Sequence, residues 1–444
     1  MKIFDWVLLL LEGDKLSTDE LQFGFQALSS TTMCTWTLST VVEHFNSNGR
    51  TVYGAAMDCS KAFDVCSWIS LFSDLLEKGV SPIFLRLLLF TYRNQHCDVQ
   101  WNGKYSQRFP VFNGVRQGAV SSPLFFSVYV NKLILRLNQL GIGCKIAGQF
   151  YGVLVYADDI FLLSPSREGL QAMISECEQF ANKRGLAFSV NPIEEKSKTK
   201  CIIFSRHSID LTKIAKIKLN SMNLPWVTSL LHLGNTLDDR NNMKQDISIK
   251  RGKLIRKIST LNQEFHFASP DVRMKLYEKY CLSVYGSNLW ALFSNETARI
   301  YKTWNVSTRI CYSLPRTSHC YFIEPVSQCL HLKTLLCARL VTFDRALANC
   351  KKSSVRVLAS LCRTDTSTVF GNNLLQIAKL CGTPINELSS PCVKTNMKSF
   401  PCPKEEEWRI PLVLELLAVK NNDLSLEMCD QLEIDDYIEF LSTT

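Results

Sequence analysis

Three aspartates offer the chemistry in this sequence. Asp158 and Asp159 are adjacent, inside the stretch Gly152–Leu163 that reads G-V-L-V-Y-A-D-D-I-F-L-L. Val153, Leu154, Val155 and Tyr156 precede the acids and Ile160, Phe161, Leu162 and Leu163 follow them, with the β-branched and aromatic content of two short buried strands. The pattern predicts a hairpin with both carboxylates at its tip. Two like charges at the edge of an apolar sheet need a cation or protons, although an Asp-Asp pair alone also fits an ordinary turn. Asp58 ends a separate strand-like run from Thr51, T-V-Y-G-A-A-M-D. An acid ending one strand and a pair on a neighbouring hairpin could hold two divalent ions. Two ions roughly 3.5–4 Å apart activate an attacking oxygen and stabilise a leaving one in phosphoryl transfer. Hard oxygen donors select Mg2+, with Mn2+ as its substitute, over Zn2+.

Positioning those acids requires a sheet backed by helices. After Asp58, the residues Cys66, Ile69, Phe72, Leu75 and Leu76 recur at helical spacing and Gly79 ends the run. Pro82 opens another helix through Tyr92, and Asn102-Gly103 between alternating residues predicts a tight hairpin. Gly114–Leu133 reads as a glycine-bearing loop feeding a Pro-started apolar helix. A helix from about Arg167 to Arg184, a strand around Leu186–Val190, a Lys/Glu-rich connection, a strand at Cys201–Phe204 and a short β element at Leu230–Leu237 follow. Upstream, Leu21–Phe25 leads through a Ser/Thr-rich stretch to a helix ending near Asn48-Gly49. Strands interleaved with helices in this order predict an α+β architecture.

Beyond Asp238 the pattern turns helical. Lys244, Lys250, Arg251, Lys253, Arg256 and Lys257 crowd one helix whose apolar side is Ile247, Leu254, Ile258 and Leu261; such a face either follows a phosphate backbone or is simply solvated. Helices continue from Pro270 to about Leu375, Thr383–Pro403 reads as a linker, and the tail from Glu405 is an acidic helix with Leu412, Leu416 and Leu417 on one side.

Composition narrows the class. The chain has 444 residues and a 46% apolar fraction, enough for packed cores in roughly two to four units. From Pro401 onward there are 11 acidic and 3 basic residues, which leaves 47 basic and 30 acidic on residues 1–400, and that basic body suits a polyanionic partner, nucleic acid before membrane. The 18 cysteines show no zinc-ligand spacing and read as reduced thiols of an intracellular protein. The apolar run Val7–Leu11 is too short to span a bilayer and has no cleavage signal, so the protein is expected to be soluble, not secreted, and active in nucleus or cytoplasm.

Taken in order, Y-G-A-A-M-D-C-S-K-A-F-D, G-V-R-Q-G-A-V-S-S-P-L-F and L-V-Y-A-D-D-I-F-L-L resemble the successive palm motifs of non-LTR (LINE-type) retrotransposon reverse transcriptases. The likeness extends to Q-F-G-F near the start and to K-S-K-T-K-C-I-I-F-S and L-H-L-G after the hairpin, and more weakly to helical segments around Tyr285-Gly286 and Trp304–Pro315. The resemblance implies a right-hand polymerase fold: partial fingers at 1–50, a palm with inserted fingers elements at 51–238, a helical thumb at 239–300, a C-terminal helical region at 301–382, a linker at 383–403 and an acidic helical tail at 404–444. It also implies that Asp58, Asp158 and Asp159 bind two Mg2+ ions and that Lys198 faces the leaving pyrophosphate. Phe63 would lie under the incoming sugar and exclude a 2'-hydroxyl. Gln117, Gly118 and Tyr156 would meet template and nucleotide, and Leu233 and Gly234 would position the primer end. Lys250, Lys253 and Lys257 are the candidates for backbone contact. The implied partners are an RNA template, a DNA primer and dNTPs, with no other small-molecule cofactor.

Two departures from the family pattern stand out. Asn191 is followed by P-I-E-E-K-S before Lys198-Thr199, which leaves Lys196 as a rival for the leaving-group role. The upstream fingers segment and the endonuclease domain of such elements are not recognisable, so the expectation is an N-terminally truncated enzyme. The alternative is an inactive remnant of the same fold that only binds RNA or RNA–DNA duplex. A group II intron or telomerase relative would need maturase or telomerase-specific segments, which the sequence does not display.

Overall fold

In the computed structural model, Val52–Asp58 (β1) is the middle strand of a five-stranded sheet. Val153–Tyr156 (β2), Asp159–Ser164 (β3), Lys200–Phe204 (β4) and Trp226–Val227 (β5) complete it in the order β5-β4-β1-β3-β2, antiparallel except for β4 with β5. The structure describes residues 2–282, 284–318, 327, 329, 331–382, 384, 385 and 388. The expected linker at 383–403 and the acidic tail at 404–444 thus lie almost wholly outside the described residues.

The sheet strands are apolar on both faces, as strands covered by helices should be. Helices Thr31–Ser47 (α2), Ser122–Gln139 (α6) and Arg167–Arg184 (α7) pack against them. Each begins where its sequence signals: Ser30 and Ser166 cap α2 and α7 by accepting the Met33 and Gly169 amides, and Pro123 sits in the first turn of α6. Lys2–Glu12 (α1), Ala62–Val65 (α3), Trp68–Glu77 (α4) and Pro82–Arg93 (α5) complete the helices of this region. Asn102 and Gly103, both left-handed at φ +47° and +76°, turn a short hairpin as that dipeptide predicts.

Two sequence expectations fail here. Leu186–Val190 is not a strand: it crosses the end of β1, where Ser189 N donates to Asp58 O at 2.7 Å and Phe188 makes a single bridge to Cys59. β1 is already turning toward α3 at that point, so there is no strand edge left to pair with. The inward face of α4 is also rotated from the expected one. Ile69 and Leu76 are exposed, while Leu71, Asp74 and Leu75 are buried.

Asp74 explains the rotation. Its carboxylate is 2% exposed, pairs with both terminal nitrogens of Arg184 from α7, and lies 2.8 Å from Lys132 Nζ of α6. Arg184 also lies over the rings of Tyr129 (4.9 Å) and Phe180 (5.1 Å). A helical period based on apolar residues alone misses a face centred on a buried ion pair.

The chain divides into two compact units, Met1–Asn242 with Ala346–Leu361, and Met243–Arg345 with Cys362 onward. No sequence signal marked the return of 346–361 to the first unit. In the second unit, Lys244–Glu264 (α8) packs along Asn295–Cys311 (α10), Pro270–Leu276 (α9) adjoins both, and Val369–Cys381 (α13) packs on the 3-10 turn Ser287–Leu289. Buried Asp246 of α8 accepts from Trp290 Nε1 at 2.9 Å, and Asn373 of α13 bonds both Trp290 O and the Leu292 amide. Leu332–Ala348 (α11) and Ser353–Thr364 (α12) lead into and out of the returning segment.

Truncating Asp74 leaves a guanidinium and an ammonium without their shared counter-charge. Asp74→Ala should cost about 3–5 kcal/mol in denaturant unfolding; a loss below about 1 kcal/mol would mean that the three-helix ion cluster is solvated in practice.

Candidate active site

Backbone pairing sets the site. Asp58, the last residue of β1, is the direct cross-strand partner of Asp159, and Asp159 in turn pairs with Tyr156 across the hairpin. Ala157 and Asp158 therefore form a two-residue turn, with Ala157 left-handed at φ +59°. This corrects the expected hairpin: Asp158 alone occupies the tip and Asp159 begins β3. The sequence hid this because the apolar run resumes only at Ile160.

Bringing three carboxylates together has an electrostatic cost. Loss of solvation raises the Asp158 carboxyl above the ordinary range, and Asp58 adds repulsion. Although Asp159 remains exposed, loss of solvation pushes its carboxyl up to about 6, with Asp158 and then Asp58 adding to the rise. Cys59, next along the chain, is pushed up to about 12 by burial, then by Asp158 and Asp58, and stays a thiol. Among the described residues no three His, Cys, Asp or Glu side chains form a ready metal cage. Clustered acids held above their usual pKa nevertheless suit a divalent cation, which would relieve their repulsion.

Lys198 supplies the nearby positive charge. Its Nζ is 3.9 Å from Asp58 Oδ2, with 73% of the side chain exposed. The residues that interrupt the expected spacing fold into a detour: Glu194–Lys196 makes one 3-10 turn, and Ser197 Oγ accepts from Asn191 N at 2.9 Å and donates to Asn191 O. Thr199 then returns to the sheet, its Oγ1 accepting the Asp58 amide at 3.2 Å and its own amide bonding Ser189 O. Lys196 is left on the detour, and Lys198 is the lysine brought to the acids.

The remaining candidates take varied positions. Phe63 on α3 is half-buried and stacks on Phe126 with centroids 4.5 Å apart. Gln117 is exposed and donates from Nε2 to Asp64 Oδ1 at 2.8 Å. Gly114 is needed for close approach, since a Cβ there would lie 2.7 Å from Asp64 O, whereas Gly118 (φ +80°) stands in open space. Tyr156 is half-buried, with Phe25 at 6.4 Å. Leu233 and Gly234, at φ +46° and +74°, are the two-residue turn of the hairpin Ser229–His232 with Asn235–Asp238. In the second unit, Lys250 departs from the expected phosphate-facing role. Its side chain is 9% exposed, bonds Asp246 at 2.7 Å and lies over Tyr285 and Trp290, because its position on α8 faces the packed side. Lys253 and Lys257 remain exposed, with Lys257 Nζ on Tyr280 O at 2.8 Å.

Comparison with known proteins gives the family of this stretch. The family described as reverse transcriptase (RNA-dependent DNA polymerase) matches residues 15–234. That stretch is a reverse transcriptase domain. A retrovirus-related Pol polyprotein from a type-2 retrotransposable element of Drosophila melanogaster is 29% identical over 173 residues, 38% of this chain and 16% of that protein. Another, from a type-1 retrotransposable element of Nasonia vitripennis, is 30% identical over 149 residues, 34% of this chain and 14% of that protein. The chain thus spans a small part of these relatives, and they identify the reverse transcriptase as one of the non-LTR retrotransposon type. Telomerase from Candida tropicalis, solved with a fragment of telomeric RNA, superposes with a TM-score of 0.43 at 12% identity, covering 90% of this chain and 56% of that one. That likeness is too loose to weigh in the assignment.

One residue of the reverse transcriptase domain escaped the reading of the sequence. Gln22 is fully buried, and its Oε1 accepts both the Gly24 amide (2.9 Å) and the Ala157 amide (3.1 Å). Its Nε2 has no partner among the described residues, a deficit worth about 1–3 kcal/mol. Gly24 must be glycine, because a Cβ there would sit 2.4 Å from Ala157 N. The signal was present in Q-F-G-F, but a glutamine beside a glycine does not say which backbone it grips.

The raised Asp159 carboxyl has a testable sign. The folded state holds that proton more tightly than the unfolded one, so in metal-free protein the ionised group lowers stability as pH rises from its ordinary 3.8 to about 6. The melting temperature of the native chain minus that of Asp159→Asn should become more negative across that window. A difference that is flat with pH would show that the carboxyl is not held up.

Proposed function

We propose that this chain is an RNA-directed DNA polymerase that adds dNMP units to a DNA primer 3'-hydroxyl on an RNA template. The observation carrying this reading is the meeting of Asp58, Asp158 and Asp159 at paired strand ends with Lys198 beside them. Asp58, Asp158 and Asp159 would hold two magnesium ions, or manganese in their place. When bound, these supply activation of the primer oxygen and stabilisation of the leaving oxygen.

The chain's own residues do the rest. Lys198, exposed and near Asp58, offers its charge to the departing pyrophosphate. Phe63, backed by Phe126, presents a rigid ring beneath the sugar and favours deoxynucleotides. Gln117, Gly118 and Tyr156 contact template and nucleotide, and the Leu233-Gly234 turn guides the primer end. Lys253 and Lys257 add sequence-independent phosphate contacts. Residues 1–50 act as fingers, 51–238 as palm and 239–300 as thumb. The enzyme works where RNA and dNTPs are found, in nucleus or cytoplasm, and no described helix is long and apolar enough to cross a membrane.

Purified protein should extend a DNA primer on an RNA template with Mg2+, and Asp158→Asn should reduce extension by at least about 100-fold. Salt-dependent duplex binding without incorporation, in Mg2+ or Mn2+, would replace the enzyme with a binding protein of the same fold. Neutralising Lys253 and Lys257 together should make the salt slope of duplex binding shallower by roughly 1–2. An unchanged slope would return that face of α8 to simple solvation.

A further inference from the structure

The returning segment Ala346–Leu361 is anchored to the strip that grips the catalytic turn. Phe23 N donates to Val155 O at 2.7 Å and Val155 N donates to Leu21 O at 2.9 Å, so Leu21–Phe23 is bonded to β2 on either side of Gln22. Lys352 is 8% exposed; its Nζ donates to Gln22 O at 2.9 Å and lies 5.0 Å from the centre of the Phe23 ring. Burial lowers the lysine's pKa from its ordinary value, against the opposing pull of Cys350, Glu20, Asp19 and Cys34. Next to it, Glu20 accepts the Ser353 hydroxyl at 2.8 and 2.9 Å and the Ser354 amide at 2.9 Å. On the other side, Tyr151 O–H donates to Ser354 O at 2.7 Å.

A buried ammonium on a backbone carbonyl is a costly fastening unless what it fastens matters. Here the carbonyl belongs to the residue whose side chain holds the left-handed Ala157, one position before Asp158. We propose that Gln22 and Lys352 are positioning residues for the metal-binding carboxylates: Gln22 fixes the Ala157-Asp158 turn through the Ala157 amide, and Lys352 fixes Gln22. The proposal rests on the polymerase reading for its consequence in catalysis, but not for its consequence in metal affinity.

Both are testable with the full chain in the variants Gln22→Met and Lys352→Met, which keep side-chain length and remove the polar contact. Mn2+ affinity, read by the electron paramagnetic resonance signal of free Mn2+, should weaken about 10-fold, as when groups orienting metal ligands are lost. Turnover in primer extension should fall about 100-fold with the dNTP KM moved less than about 3-fold. Asp74→Asn, which destabilises the same unit elsewhere, should leave Mn2+ affinity at the native level. Native affinity in both Met variants, or an equal loss in Asp74→Asn, would overturn the proposal. Should the Met variants not fold, Glu20→Gln loosens the same docking more gently and should weaken Mn2+ about 3-fold; no change would count against the idea. A native chain that binds Mn2+ but incorporates no nucleotide defeats the polymerase reading alone, and one that binds no Mn2+ defeats both.

Discussion

Antiparallel registry between Asp58 and Asp159 is the constraint on which the rest of the site depends. Side chains alternate along a strand, so a one-residue slip would carry Asp159 to the opposite face and separate the acids. The acids oppose their own assembly, since Asp58 raises the proton affinity of Asp158 and both raise that of Asp159. Apolar burial overrides that repulsion. Val153, Leu154, Val155, Ile160, Phe161, Leu162 and Leu163 are all nearly inaccessible, and each such burial contributes about 1.5–3 kcal/mol. The register is therefore decided by the hydrophobic residues, and the aspartates are carried to their places by it.

This division of labour explains what could be read directly. Strands β1, β2 and β4, the helices α2, α5, α6 and α7 and the Asn102-Gly103 hairpin follow from periodicity, caps and turn residues within a few positions of each other. What could not be read depends on partners distant in sequence. The inward face of α4 is set by Asp74, whose cations arrive from two other helices. Leu186–Val190 has the composition of a strand but meets the end of β1, where no edge is free to pair.

The lysines show the same limit. Lys250, Lys253 and Lys257 look alike on a helical wheel, yet one is buried on Asp246 and two face solvent, because the packed side of α8 is decided by Trp290 and its neighbours. Lys198 was harder to choose over Lys196 because the intervening residues form a closed detour. The Asn191–Ser197 hydrogen bonds absorb the extra length and return the chain in step.

The first unit is also discontinuous, and that imposes an order on its making. The bond from Lys352 to Gln22 joins positions 330 apart. Closing so long a loop is thermodynamically mild, since each doubling of length adds only about 0.6 kcal/mol. The delay is kinetic: at roughly 5–20 residues per second of synthesis, on the order of ten seconds or more separates the completion of the hairpin that carries Asp158 and Asp159 from the appearance of residue 352. A nascent chain thus exposes Asp58, Asp158 and Asp159 well before the segment that bonds to Gln22 exists. The sheet and the segment that bonds to it are thus made some two hundred residues apart.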